Sequence, residues 1–166
     1  MNSYNENRKE LNLLAPKDIV ATATASAYIN VANAVETIEF QIPFGNIAST
    51  DSTGEVVVTI EASTAGSSNA TESAIAFKYR LSAAVATDTM GALTSATSSG
   101  VAVGNASDNC TLFCFVEPDQ LAALGADFSY LRAVITPTAE ITATVVGGVH
   151  CSFVPRYAGA SIPSST

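Results

Sequence analysis

Apolar and polar residues alternate along three stretches of this chain, and the alternation constrains its fold more than any other feature. The stretches are VETIEFQIPF, GEVVVTIEA and SAIAFKYRLSA. Successive side chains of a β-strand point to opposite faces, so a period of two predicts strands with one buried side. The side chains expected to face the interior are Ile38, Phe40, Ile42 and Phe44, then Val56, Val58 and Ile60, then Ile75, Phe77, Tyr79 and Leu81.

Other stretches predict the elements that complete an all-β domain. CTLFCFVE is apolar on both faces, which indicates a central strand. EPDQLAALG favours a short helix, because Pro118 suits the first helical position and Gly125 the position after the last. FSYLRAVITP and AEITATVVGG follow each other closely and predict a β-hairpin. Pro43 is expected to end its strand or to place it at an edge, and Gly147-Gly148 indicates a bulge or a turn.

Together these patterns predict the fold class and the division of the chain. The fold class is an antiparallel β-sandwich, jelly-roll or immunoglobulin-like, with one short helix and an N-terminal arm. Strand patterns alone do not distinguish the two topologies, because they do not contain the strand order. The predicted divisions are an arm at residues 1–19, the sandwich at residues 20–158 and a polar C-terminal tail at residues 159–166.

The charge content of the chain limits its partners. Seven Lys or Arg stand against fifteen Asp or Glu, and the formal net charge is −8. Nucleic-acid-binding proteins present a basic stripe to phosphates, so we expect no nucleic-acid partner. The sequence starts with a polar segment and contains no apolar run of about 18 residues. We therefore expect no signal peptide, no membrane partner and synthesis in the cytoplasm.

Residues that commonly carry catalysis are scarce in the sequence. His150 is the single histidine and has no nucleophile motif near it, whereas acid–base catalysis uses histidine most often. A pair of carboxylates stays open as an alternative, although the acidic residues fall at outward strand positions or in loops. We expect no enzymatic activity, no catalytic residues and no cofactor.

The cysteines are Cys110, Cys114 and Cys151. An odd number of cysteines in a protein made in the cytoplasm favours free, buried thiols. A disulfide from Cys151 to one of the other two stays open as an alternative, if their strands meet. We expect no metal site, because His150 and Cys151 are neighbours on a strand and their side chains point to opposite faces.

Several segments carry a resemblance to a known family. They are the strands ETIEFQIPFG and GEVVVTIEAS, the segment YLRAVITP, a following strand rich in Thr, Ala and Val, and the sequence PRYA. Over residues 35–158 the chain resembles the decoration, or cement, proteins of tailed bacteriophage heads. The resemblance implies a β-sandwich or β-tulip body that binds the outside of an icosahedral shell, often as a trimer, and stabilises it. The implied partners are the major capsid protein and further copies of this chain, and the implied location is the outer surface of the virion head.

Three surfaces are candidates for contact with the capsid or with another subunit. The first is the N-terminal arm, whose apolar patch is expected to be either a helical turn or a strip that docks elsewhere. Its candidate residues are Arg8, Lys9, Leu11, Leu13, Leu14 and Lys17. The second is the pair Arg156 and Tyr157, residue types favoured at interfaces, for which a strand-capping role fits equally well. The third consists of the loops at residues 62–73 and 87–108.

Arg132 lies in an otherwise apolar strand and is a further candidate contact residue. It is expected to point outward together with Tyr130 and Val134, which are apolar. Such a face is expected to be half covered, either by the edge of the other sheet or by a neighbouring subunit. We therefore expect Arg132 to pair with a carboxylate there.

Two other functions stay open beside the capsid role. A tail, fibre or spike module would use a similar sandwich to attach a virion to its host, although fibres tend to be longer and repetitive. A small lectin-like domain would need exposed aromatic platforms, and the chain has no tryptophan and only 7% aromatic residues.

Overall fold

The computed structural model describes residues 8–20, 22–67, 70–82 and 89–154. These residues form fourteen strands, one short 3-10 helix (Asn105–Ser107) and one α-helix, α1 (Pro118–Leu124). The strands are β1 (Lys9–Leu14), β2 (Lys17–Asp18), β3 (Thr24–Ala25), β4 (Ile29–Asn30), β5 (Ile38–Ser49), β6 (Glu55–Ser63), β7 (Glu72–Ile75), β8 (Phe77–Leu81), β9 (Thr94–Ala96), β10 (Val101–Gly104), β11 (Thr111–Val116), β12 (Tyr130–Pro137), β13 (Ile141–Val146) and β14 (Val149–Phe153).

All of the strands belong to two antiparallel sheets. The large sheet has the order β1-β14-β5-β11-β8-β9, with β13 paired to both β5 and β2. The small sheet has the order β10-β6-β12-β3, with β7 paired to β6 and β4 paired to β12. The all-β class and the sandwich are therefore confirmed.

The inner faces of both sheets form one hydrophobic core. The predicted inward residues of β5 and β6 are buried, and so are Ile75 and Phe77, while Tyr79 and Leu81 are partly buried against the same core. Full burial of a Phe or Ile side chain contributes about 1.5–3 kcal/mol relative to an exposed one. The alternation in the sequence thus identified the buried face of each strand correctly.

The chain changes sheets in the middle of the third alternating stretch. β7 pairs with β6 in the small sheet, whereas β8 pairs with β11 in the large sheet. Ala76, which lies between the two strands, is exposed. Because both sheets bury the same side of this segment in one core, the alternation continues unbroken across the change.

The predicted hairpin of FSYLRAVITP and AEITATVVGG is wrong. β12 pairs with β6, β3 and β4 in the small sheet, and β13 pairs with β5 and β2 in the large sheet. The chain crosses between them at residues 138–140, where the Thr138 N–H donates to the Glu55 carbonyl over 3.0 Å. Adjacent strands on opposite sheets show the same alternation as a hairpin, so the pattern could not distinguish the two.

Pro43 lies inside β5 and does not end it, contrary to expectation. The strand has β11 on one side and β13 and β14 on the other, so it is not an edge strand. The Phe44 N–H donates to the Cys110 carbonyl (2.8 Å), while the Pro43 carbonyl accepts from the Gly147 N–H (2.7 Å). Pro43 has no N–H, and the side of β5 where that N–H would lie faces the gap between β13 and β14. Gly147-Gly148 interrupts the pairing at this gap, as expected.

The short helix and the free thiols agree with the sequence predictions. α1 begins at Pro118, and Glu117 and Gln120 form a capping box at its start. Gly125, the residue after the helix, has φ of +141°, which favours glycine. β11 lies between β5 and β8, as expected of a central strand. All three cysteines are free and buried.

Gly148 is expected to be intolerant of a side chain. Its φ is +112°, and an added Cβ would lie 2.7 Å from the Leu14 carbonyl oxygen. We expect Gly148→Ala to lower the free energy of unfolding by about 1–3 kcal/mol, measured by urea denaturation. Gly104→Ala is the matched control, because Gly104 has an extended φ of −86° and an added Cβ would come no closer than 4.0 Å to its neighbours. Equal stability of the two variants would contradict this account.

Stability is expected to fall at alkaline pH because of the buried thiols. Burial raises the pKa of Cys114 and Cys151 and raises that of Cys110 from 9.0 to about 11. The unfolded chain then loses thiol protons that the folded chain keeps, so stability present below pH 9 declines as the pH rises toward 11. Each thiol contributes at most about 1.4 kcal/mol per pH unit. Urea denaturation at pH 8, 9 and 10 should show a shallower decline for Cys110→Ala, and an unchanged slope would contradict the assignment.

Candidate functional site

The described part of the predicted arm is a strand at the edge of the large sheet. β1 runs antiparallel to β14, with Lys9 opposite Phe153 and Leu11 opposite Cys151. β2 continues the pairing along β13, and the Ile19 N–H donates to the Thr144 carbonyl over 2.8 Å. The helical-turn alternative is therefore wrong. The apolar patch of Leu11, Leu13 and Leu14 is partly buried and packs against the chain's own core.

Arg8 fastens the start of this edge strand to the middle of the sheet. Its Nη2 donates to the Glu39 Oε2 over 2.8 Å and to the Ser152 Oγ over 2.5 Å. Glu39 also accepts from the Gln41 Nε2 over 2.8 Å. The Arg8 and Glu39 side chains are 17% and 20% exposed, so the pair is only partly screened by water. Three strands, β1, β14 and β5, are thus tied together on the outer face of the sheet.

A polar cleft of about 670 Å³ surrounds this ion pair. Its lining residues are Arg8, Glu10, Leu11, Asn12, Glu39, Gln41, His150, Cys151 and Ser152. Most of these side chains are hydrogen-bond donors or acceptors, and the ion pair brings one positive and one negative charge together. The cleft can therefore accept a polar surface through hydrogen bonds, and Arg8 and Leu11 are the predicted contact residues that contribute to it.

The remaining predicted contact residues do not belong to this cleft. Lys9 is half-buried at the start of β1, and Lys17 is exposed on β2. Arg156 and Tyr157 lie outside the described residues. The loops at residues 62–73 and 87–108 are described only in part, and the latter includes β9 and β10 in addition to loop. The structure therefore does not gather the predicted contacts into one site.

Arg132 lies in a separate polar cluster on the outer face of the small sheet. Its Nε donates to the Glu61 Oε2 over 2.8 Å, and its Nη2 donates to the Glu72 Oε2 over 2.7 Å. Its guanidinium lies over the Tyr28 ring at 4.7 Å, and the Tyr28 hydroxyl donates to Glu72. The expected carboxylate partner is confirmed, and both partners come from the same chain. Arg132 thus joins β12 to β6 and β7.

The partners that complete both clusters do not follow from the sequence pattern. The alternation implies only that Glu39, Gln41 and Glu61 face outward from their strands. Which residues lie opposite each other depends on register and strand order, which alternation does not specify. The small number of basic residues could have indicated these carboxylate partners, because each arginine on a half-buried face needs a carboxylate nearby.

Within residues 8–20, 22–67, 70–82 and 89–154, no group of three or more His, Cys, Asp or Glu side chains is placed to hold a metal ion. No helix in the same ranges is long and apolar enough to cross a bilayer.

Comparisons with known proteins give only weak structural similarity. No family model matches the sequence, and no curated protein matches it. A solved structure of infectious bursal disease virus, Gt strain, is 9% identical and has a TM-score of 0.24 over 89% of this chain and 41% of the viral chain. The Gx strain structure is 10% identical, with the same TM-score over 89% of this chain and 40% of the viral chain. The chain thus spans about two fifths of these viral chains, and a TM-score this low does not indicate a shared fold.

Arg132→Ala is expected to destabilise the fold. Glu61, which is partly buried, would then lack its cation, and the exposed Glu72 would lose the same partner, which together costs about 1–3 kcal/mol. The measurement is the free energy of unfolding in urea at pH 7, with Arg80→Ala as the matched control. Arg80 is exposed and has no ion pair among the described residues, so its loss should change stability by less than about 0.5 kcal/mol. If Arg132→Ala were as stable as Arg80→Ala, the internal role of Arg132 would be refuted.

Proposed function

We propose that this protein is a structural component of a bacteriophage virion. It binds the outside of the capsid, stabilises the shell as a decoration protein and acts as a homotrimer. The partners are the major capsid protein and other copies of the chain, and the location is the outer surface of the head. It has no catalytic role, and it binds neither nucleic acid nor membrane.

The observation that carries this proposal is the antiparallel two-sheet sandwich, which is the body that the sequence resemblance implies. The resembling segment YLRAVITP forms β12, the strand next to β6 in the small sheet. The segment ETIEFQIPFG lies mostly in β5, which is flanked by partners on both sides in the large sheet. These two segments therefore lie in interior strands of the two sheets.

A sandwich of this kind is suited to stabilising a shell. A protein that binds only the assembled shell shifts the equilibrium toward that shell by mass action. Many copies that each bridge neighbouring subunits act together, so the individual contacts can be modest. Rigid strands hold the contacting side chains in place, which lowers the entropy lost on binding.

The number of copies per particle tests this proposal directly. Gel densitometry of purified particles, against the major shell protein as the internal standard, is expected to give about one copy per shell subunit, because a decoration protein occupies the whole head lattice. A few copies per particle would instead support the tail, fibre or spike alternative. Absence from particles would contradict both virion functions and favour a lectin-like or enzymatic one.

A further inference from the structure

The outer face of the large sheet carries two exposed cations beside two half-buried aromatic rings. On β8, Lys78 and Arg80 point outward and are exposed, while Phe77 between the sheets is buried. On the adjacent β11, Phe113 and Phe115 point outward and are half-buried. We call these four residues, Lys78, Arg80, Phe113 and Phe115, the phenylalanine–cation strip.

Strand register places the members of the strip side by side. Phe113 lies opposite Arg80 on one side and Gln41 on the other. Phe115 lies opposite Lys78 and Glu39 in the next outward row. The two phenyl rings therefore occupy the middle of the face, with the cations along one side and the polar cleft beyond Gln41 and Glu39 along the other.

The two cations have no internal partner in the described structure. The ion pairs found there involve Arg8 and Arg132, and neither Lys78 nor Arg80 lies within 4.0 Å of a carboxylate oxygen. This is informative in a chain with a net charge of −8, where fifteen carboxylates compete for seven cations. Lys9 and Lys17 also have no ion pair among the described residues, so what distinguishes Lys78 and Arg80 is their position beside two phenyl rings.

The outer faces of the two sheets also differ in charge. On the large sheet, the cations Arg8, Lys78 and Arg80 accompany the carboxylates Glu10, Asp18 and Glu39. On the small sheet, Arg132 accompanies Glu61 and Glu72, and Glu55 lies on the same side of β6. The outer face of the large sheet is therefore less negative than the outer face of the small sheet.

We propose that the phenylalanine–cation strip is the surface that docks on the shell protein, at a patch that is acidic and partly apolar. This inference rests on the proposed function and specifies its contact. Charge complementarity selects the partner, because Lys78 and Arg80 have no carboxylate partner among the described residues and can pair with carboxylates of a bound protein. Phe113 and Phe115 supply the apolar centre that protein interfaces have inside a polar rim. Single-stranded nucleic acid also binds cations beside aromatic rings, but the net charge of −8 and Glu39 beside Phe115 oppose phosphate.

The test measures binding of the full chain to shells that lack it, by co-sedimentation at 0.05, 0.15 and 0.3 M NaCl. The main variant is Lys78→Gln with Arg80→Gln, which changes the net charge by two units. The matched control is Ala102→Glu with Thr136→Glu, which changes the net charge equally on two exposed positions of the small sheet. We expect at least a tenfold weaker Kd at 0.15 M NaCl and a reduced salt dependence for the main variant, and a change below twofold for the control.

A second variant examines the aromatic part of the strip. Phe113→Ser is expected to weaken binding at least fivefold while the salt dependence stays that of the unaltered protein, because no charge changes. Thermal melts of all variants verify that they are folded before binding is compared.

The other outcomes separate the failure of this inference from the failure of the proposed function. If the unaltered protein sediments with shells and the main variant binds equally well, the docking surface lies elsewhere and the capsid role stands. If the unaltered protein does not bind shells, the proposed function and this inference both fail. If the main variant instead loses oligomeric mass in light scattering, the strip binds a second copy of the chain. If the unaltered protein binds a 20-nucleotide oligo(dT), the strip binds a nucleic acid. Either result overturns the inference.

Discussion

The backbone donor that Pro43 lacks is the constraint on which the arrangement of the large sheet depends. Proline has no backbone N–H, so in the middle of a sheet a carbonyl of the neighbouring strand loses its hydrogen-bond donor. Here β5 continues through Pro43, and the strand on that side is interrupted instead, by Gly147-Gly148 between β13 and β14. The Gly147 N–H satisfies the Pro43 carbonyl over 2.7 Å. The edge strand follows the same interruption, because β1 pairs with β14 and β2 pairs with β13, with Pro16 between them.

The sequence specified the faces of the strands better than their neighbours. Alternation identified Ile38, Phe40 and Ile42 as buried, because one face of each strand must leave water wherever it lies in the sandwich. It could not show that β12 and β13 belong to different sheets, since a hairpin and a crossover bury the same side chains. It also missed β1, whose sequence KELNLL alternates weakly and is half-buried at an edge. Partners were predictable only by type, as the carboxylates beside Arg132 show.

Four of the described cations divide between two roles. Arg8 and Arg132 each join strands through carboxylates of the same chain, and their side chains are 17% exposed. Lys78 and Arg80 are exposed and have no such carboxylate among the described residues. A surface cation contributes little to stability by itself. Stability therefore does not restrict where such a cation lies, and its position can serve binding. The division therefore separates the residues that hold the sandwich together from those that are available to a partner.

The pairing of β1 with β14 has a consequence for the order in which the protein is made. Lys9 faces Phe153 in the sheet, so one of the earliest strands to leave the ribosome pairs with one of the last among those described. At a synthesis rate of about 5–20 residues per second, β14 is made on the order of 10 s after β1. During that time Leu11, Leu13 and Leu14 have no β14 to lie beside. Closure of the sheet edge thus follows synthesis of all the other described strands, and such distant pairing slows folding further.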